Sequence, residues 1–487
     1  MSQMLAGEAR HRGSSAPQSF RAAWPALLGL CLTQLVEMVD NSILNVALPV
    51  VGRDLHASPT DLQWIVGAYS LTFGGLLMVG GTLGDKLGRR RTISWGLALF
   101  GLAGLAVLLV QTPGQLIAVR AVSGAFAALI APITMSLLFR LFDRDDLRNR
   151  AIGLIMTVSM IGFAVGPTLA GLALEHMPWQ MLLVLNGPVA LVAWLGVRMG
   201  LDKDRAEDLR EGRADVPGAV LSVAALALLL YTFTAGVEFG WLDLRTLLIL
   251  LGGLLALAGF VWRERTAEDP MLDLSLLAIP TVRGSAILQT SVMTAMAGVM
   301  FVSTQLYQFA WGWTPLQAGL ANLPFVVGMM SAGPFVDRAV AAWGHRRTSA
   351  YAVLLLLASL GVWIYAVDHG FVWCAIGMFM MTMAMRTIMT TGAVALMGAL
   401  PASHTSMGSA MNDTSQELGN AVGLALVGTV MASVVGKVLP TGAWDDATVQ
   451  GFVHSQQISF ALLGLLVIAL AAVGIRTLTD SRETEEH

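Results

Sequence analysis

Apolar residues run along this chain in long blocks parted by short polar stretches, from about residue 24 to residue 476. A helix needs roughly 20 apolar residues to cross ~30 Å of hydrocarbon. Read with that window, the pattern predicts spans near 24–51, 62–84, 92–111, 114–138, 150–174, 178–198, 216–238, 246–263, 282–306, 316–338, 348–367, 371–397, 406–435 and 457–476. The expectation is an all-α membrane protein with 14 transmembrane helices.

Charge tests the count independently. With the N-terminus inside, 24 of the 29 Lys and Arg residues fall in inside segments, 3 outside (Arg53, Arg245, Lys437) and 2 within spans (Arg120, Arg386). A missed or invented helix would invert every later loop and spoil that bias. The positive-inside rule therefore predicts an even number of spans, both termini cytoplasmic, and a multi-pass protein of the cell membrane.

Linker lengths divide the chain. A cytoplasmic tail (1–22) precedes a six-helix half (23–199). Charged connectors with two inserted helices follow (200–280, helices near 216–263), then a second six-helix half (281–478) and a short tail (479–487). The plan is 6+2+6. An echo links the halves: Gly81 and Asp85 close the second span, and Gly333 and Asp337 close the tenth. Duplicated halves related by an axis along the membrane normal build one large transporter class.

Composition agrees. Hydrophobic residues make up 55% and charged residues only 13%, about half of what a soluble surface requires, and the mean hydropathy is +0.69. A net charge of −3 offers no basic field for nucleic acid. Cys31 and Cys374 fall in apolar runs and read as small buried hydrophobes, without a metal or disulfide role. No cleavable signal peptide is visible. The sequence has no G-x-x-x-x-G-K-[ST] phosphate loop, so transport is expected to need no cofactor. It would draw on the proton-motive force, worth about 1.4 kcal/mol per proton per pH unit and about 2.3 kcal/mol per charge per 100 mV.

Several segments carry candidate chemistry. The second span ends in GGTLGDKLGRRR, where Gly81 permits close approach and Asp85, Gly88, Arg89 and Arg90 cluster at the surface. A plain basic anchor is the alternative. The fifth span holds Gly162, Gly166, Pro167 and Gly171, which would kink the helix and admit a neighbour. The first span reads VEMVDNSILNVALP and places Asp40 near mid-membrane, with Asn41 beside it and Glu37 three residues earlier on the same face. A mid-membrane carboxylate costs about 2.5–3.5 kcal/mol on insertion scales, so either a structural partner or a proton-carrying role is required. Arg120 in the fourth span either snorkels to the surface or turns inward. Asp413 and Glu417 share a face of the thirteenth span, and Arg386 in the twelfth is expected at a depth to supply a countercharge. A structural ion pair and substrate or proton handling both fit that arrangement. The methionines of the ninth and twelfth spans fit a pliable cavity or lipid-facing filler.

The second-span loop resembles the signature loop of the major facilitator superfamily, which implies a latch between two halves. G-x-x-x-G-P-x-x-x-G in the fifth span is similar to that superfamily's antiporter motif. The first span resembles the L-D-x-T-x-V-N-V-A-L-P helix of the fourteen-helix drug:proton antiporters, the EmrB/QacA group, with Ser42 where Thr is usual. Arg120 and Gly124 match its R-x-x-x-G motif, with Ser123 in place of the common Gln, and N-D-T-x-x-E-L-G at 412–419 matches too, with Gln416 where a basic residue is common. The resemblance implies a major facilitator fold and a monomeric secondary transporter, not an enzyme. It implies proton-coupled efflux of small organic, cationic or amphipathic compounds by alternating access. Proton coupling would fall to Asp40, Glu37, Arg120, Asp413 and Glu417, and substrate binding to Glu37, Asp40, Asn41, Arg386 and Glu417. An exporter dedicated to one metabolite, antibiotic or amino acid would share every motif. Uptake by symport and a non-transporting receptor are the further alternatives.

Overall fold

The computed structural model describes residues 19–142, 144–204, 209, 215–267, 270, 274–400, 405–435 and 446–478. The C-terminal tail, most of the N-terminal tail and parts of both connectors lie outside the described residues.

The described residues are helical throughout, without a strand. The first half comprises α1 (Trp24–Asp54), α2 (Pro59–Leu87), α3 (Arg89–Ala106), α4 (Pro113–Ala128), α5 (Ala131–Leu141), α6 (Asp145–Leu174), α7 (Gln180–Val184) and α8 (Asn186–Gly200). The inserted pair is α9 (Val216–Glu238) and α10 (Leu244–Thr266). The second half comprises α11 (Pro280–Gln305), α12 (Pro315–Leu320), α13 (Leu323–His369), α14 (Phe371–Gly398), α15 (Thr405–Val435) and α16 (Asp446–Thr477).

Thirteen stretches among the described residues are long and apolar enough to cross a membrane. One of them, Pro315–His369, covers two expected spans. Within it a turn at Ala321 and Asn322 parts α12 from α13, and α13 is itself interrupted at Gly344, whose φ of 77° and ψ of 172° are non-helical. The expected loop between 338 and 348 is thus a single glycine break. The last helix also starts at Asp446, earlier than the expected 457, because a polar turn precedes its apolar core.

Local chemistry sets the helix starts at the end of the bundle opposite the basic loops. Ser58 and Asp61 form a capping box ahead of α2, Thr112 and Gln115 ahead of α4, and Thr314 and Gln317 ahead of α12. Each is followed by a proline in the first turn, where its missing N–H costs nothing. Leu129 and Ile130 break α4 from α5 just before Pro132.

The packing is asymmetric along the bundle axis. Near the basic end the first half has its own apolar core, built on Leu30, Tyr69, Ile93, Leu138, Ile155 and Ala193. At the opposite end, first-half residues such as Leu48, Leu62, Val107 and Leu183 join one continuous core with Phe301, Met378 and Phe460 of the second half. Three contacts close that far end. The Gln308 side-chain amide donates to the Val46 carbonyl at 2.8 Å. A Cβ at Gly171 would overlap the Pro315 carbonyl oxygen, and one at Gly319 the Pro167 carbonyl oxygen. Phe163 and Phe325 meet at 5.0 Å between centroids, one step nearer the basic end. The α2–α15 seam reaches further, from Gln63 against Gly428 to Met78 against the Leu276–Met411 cluster. Among the described residues, the contacts that join the halves gather at the far end and along that seam.

Candidate functional site

The five charged positions expected near mid-membrane in the first half and in α15 separate into two clusters. The first is enclosed by the first half alone. Asp40 on α1 is 1% exposed and Arg120 on α4 is 2% exposed. Arg120 Nη1 donates to Asp40 Oδ2 at 2.6 Å, and Asn186 Nδ2 at the start of α8 donates to Oδ1, also at 2.6 Å. Arg120 Nε reaches the Ile65 carbonyl at 3.4 Å, and its guanidinium lies 4.5 Å from the centre of the Tyr69 ring. The adjoining void measures about 10 Å³, room for one water at most. A buried pair is stable only when its remaining polar sites are also bonded, and here Asn186 and Ile65 do that. Arg120 therefore turns inward and does not snorkel.

The second cluster lies between the halves. Glu37, one turn before Asp40, is 8% exposed and is acted on by the charges of Asp413, Glu417 and Asp40. Glu417 packs over Gly74 of α2, where a Cβ would come within 2.7 Å of its own Cβ. Asn420 Nδ2 donates to its carboxylate at 3.3 Å, and the Ser70 hydroxyl lies beside it. Asp413 accepts from Asn412 Nδ2 at 3.1 Å, and Asn412 in turn accepts from Gln289 of α11. Among the described residues, none of these three acids is ion-paired. The expected adjacent pair Glu37–Asp40 therefore faces two ways: Asp40 into the first half, Glu37 into the seam.

Arg386 is half-buried on α14 and makes no ion pair or hydrogen bond with any described residue. The countercharge expected for Asp413 is not formed. Depth along the helix was read from spacing, but the direction in which Arg386 projects depends on how α14 is rotated in the bundle. Asn41 lies in α1, and its side chain falls outside what the structure describes.

The second-span loop bonds to its own helix ends, to α8 and to the connector that follows it. Asp85 Oδ1 accepts from Arg89 Nε at 3.1 Å and Nη2 at 2.6 Å across the turn at Gly88, which has φ 102°. Asp204, from the connector, caps α3 by accepting from the backbone amides of Arg90 at 3.1 Å and Arg91 at 3.0 Å. Arg90 donates to the Arg198 carbonyl. Gly81 lies against Pro132 of α5.

In α6, a Cβ at Gly162 would come within 2.8 Å of Leu35, and one at Gly166 would overlap the Ser42 hydroxyl. Gly162 and Gly166 thus seat α6 on α1, while Pro167 and Gly171 seat it on α12. Two participants escaped the sequence reading. Asn186 carried no signal beyond being a polar residue in an apolar run, and Asp204 looked like any acid in a charged connector.

Comparison with known proteins agrees with this architecture. The family model described as Major Facilitator Superfamily matches residues 30–423. The chain is 33% identical to the puromycin resistance protein pur8 of Streptomyces alboniger, over 94% of this chain and 92% of that protein. It is 30% identical to the tetracenomycin C resistance and export protein of Streptomyces glaucescens, over 87% of this chain and 78% of that one. Among solved structures, it is similar to a bacterial homolog of the human lysosomal transporter Spinster, inward-facing and unoccupied, with a TM-score of 0.65, 13% identity, and 94% of this chain and 98% of that one covered. The chain belongs to the Major Facilitator Superfamily, and is a multi-pass membrane transporter.

Proposed function

We propose that this transporter exports small organic, cationic or amphipathic compounds from the cytoplasm in exchange for protons, by alternating access. The observation that carries the proposal is that Glu37 from one half lies buried within electrostatic reach of Asp413 and Glu417 from the other, with no ion pair to any of the three among the described residues. Acids brought together in a low-dielectric seam cannot all remain ionised, so a cationic cargo and protons would compete for them. That competition couples the two fluxes. The basic end is the cytoplasmic end under the positive-inside rule, so the closed far end faces outside and the site opens inward, ready to load. The proton-motive force is the energy source, no cofactor is used, and a single chain suffices.

The same reading takes Pro315–His369 as two spans folded at Gly344. Its 55 residues would extend roughly 80 Å if straight, more than twice the hydrocarbon thickness. With that division the chain has 14 spans as 6+2+6, as in the EmrB/QacA group.

The Asp40–Arg120–Asn186 cluster, enclosed and charge-balanced, serves this site as the anchor that holds Glu37 at the seam. The test uses proteoliposomes carrying a pH-sensitive dye, with ethidium, puromycin and tetracenomycin C as cargo. Wild type should release protons on cargo addition, and Glu37→Gln and Glu417→Gln should not. Undiminished release in both variants would remove these acids from the coupling.

A second reading, export of one antibiotic by a dedicated pump, is favoured by the names of the two antibiotic-resistance relatives. A proton signal with one scaffold only would select it.

A further inference from the structure

The inserted helices α9 and α10 belong to neither half by sequence, and nothing in the proposed exchange uses them. Their bonds assign them. Trp64 Nε1 of α2 donates to Thr234 Oγ1 of α9 at 3.0 Å. Ser222 Oγ of α9 donates to the Gly75 carbonyl of α2 at 3.1 Å. Beside that bond, a Cβ on Gly75 would lie 2.7 Å from Val223, so the two backbones approach closely. Eleven residues of α2 separate the two attachment points, roughly 16 Å of helix. Two bonds that far apart fix the tilt of α9 on α2 as well as its position.

α10 is tied to α9 in turn. Arg263 Nε donates to Asp215 Oδ1 at 2.9 Å near the basic end, and the Thr246 hydroxyl donates to the Ala235 carbonyl at 3.1 Å near the other. Toward the second half, α9 presents a different surface. Leu226 and Leu230 join Ala421 and Ala425 of α15 in one apolar cluster. Leucines of α9 meet alanines of α15 there, and such a face tolerates sliding because dispersion contacts lack the directionality of hydrogen bonds.

We infer that the inserted pair is a sliding seal: it travels with the first half, fixed to α2, and glides over α15 to keep lipid out of the α2–α15 seam as the halves rock. This rests on the alternating-access reading above. Without such a cover, the seam holding Glu417 over Gly74 would be opened to lipid by each rocking motion, and a carboxylate facing hydrocarbon is costly. The opposite flank, between α6 and α12, has no inserted helix among the described residues. There the halves meet by the interlocked glycine and proline contacts of Gly171 and Gly319.

The test measures distances between spin labels on the full chain in nanodiscs. Cys31 and Cys374, both buried, are replaced by Ala. Labels go on Leu242→Cys in the α9–α10 turn, Leu109→Cys after α3, and Val372→Cys at the start of α14, positions 89%, 79% and 69% exposed. The state is changed by Gly171→Leu, which blocks the far end from closing, and separately by Gly428→Leu, which does so at the Gln63 contact. Opening should lengthen the 109–372 and 242–372 distances together and leave 242–109 unchanged. If 242–372 holds while 242–109 lengthens, the pair travels with the second half and the inference fails, with alternating access intact. If 109–372 holds in both variants, the rocking motion itself is absent and both readings fall.

Discussion

The two acid clusters are one helical turn apart on α1 and differ in almost every other respect. Around Asp40 every oxygen is matched: a guanidinium on one, an amide on the other, and a void too small for more than a single water. All its partners come from one half. Around Glu37 the neighbours are other carboxylates, from the other half, and the bonding groups are neutral hydroxyls and amides. A balanced cluster inside a rigid unit has nothing to gain from a change of protonation. Under the proposed exchange, an unbalanced cluster at the boundary between the halves would change energy with each proton, with each cationic ligand and with each movement of the halves. The mid-membrane acid most conspicuous in the sequence is therefore the paired one, and its neighbour and two residues far along the chain form the cluster that has no ion pair among the described residues.

The comparison can be broken by mutation. The largest effect is expected from Arg120→Ala, which leaves Asp40 buried and charged. Breaking one partner of a buried pair costs about 3–5 kcal/mol, so Tm in detergent and folded yield should both fall sharply, whatever the cargo. An unchanged Tm would show that the folded state does not depend on this buried pair and that the anchor reading is wrong. A smaller, opposite effect is expected from Glu37→Gln. Removing one of several like charges relieves repulsion, so Tm at neutral pH should hold or rise while cargo-driven proton release is lost; a large drop in Tm would make Glu37 structural too. The smallest effect is expected from Arg386→Ala. Without a described partner, its loss should shift stability by no more than about 0.5 kcal/mol. A drop of several degrees in Tm would reveal an ion pair that belongs to the resting protein.

Much of the fold was legible because the bilayer imposes a one-dimensional rule. Thickness fixes the length of an apolar block, and charge bias fixes which loops share a side. The starts of α2 and α4, with their capping residues, fall within a few residues of the expected edges. The Gly344 break was less visible: a glycine in a basic stretch reads as a loop, and only the packed helix shows a single interrupted turn. The candidate site was legible residue by residue but not pair by pair. Asp40, Glu37, Arg120, Asp413 and Glu417 were all singled out as acids and bases in hydrocarbon, yet the expected Arg386–Asp413 pair does not form and Asn186 was overlooked.

The sequence by itself determined that this chain crosses a membrane many times, which ends of its helices carry the basic loops, and which residues are too costly in hydrocarbon to be idle. Each of those follows from the free energy of moving a side chain between water and lipid, a property of the residue and its near neighbours. Only the tertiary structure decided which acid is ion-paired and which is left beside other carboxylates. Partners such as Asp40 and Asn186 are 146 residues apart, and whether they meet depends on how each helix is rotated about its axis. That rotation is set by the sum of many packing contacts across the bundle, glycine against carbonyl and side chain against side chain, and no local window of sequence contains it.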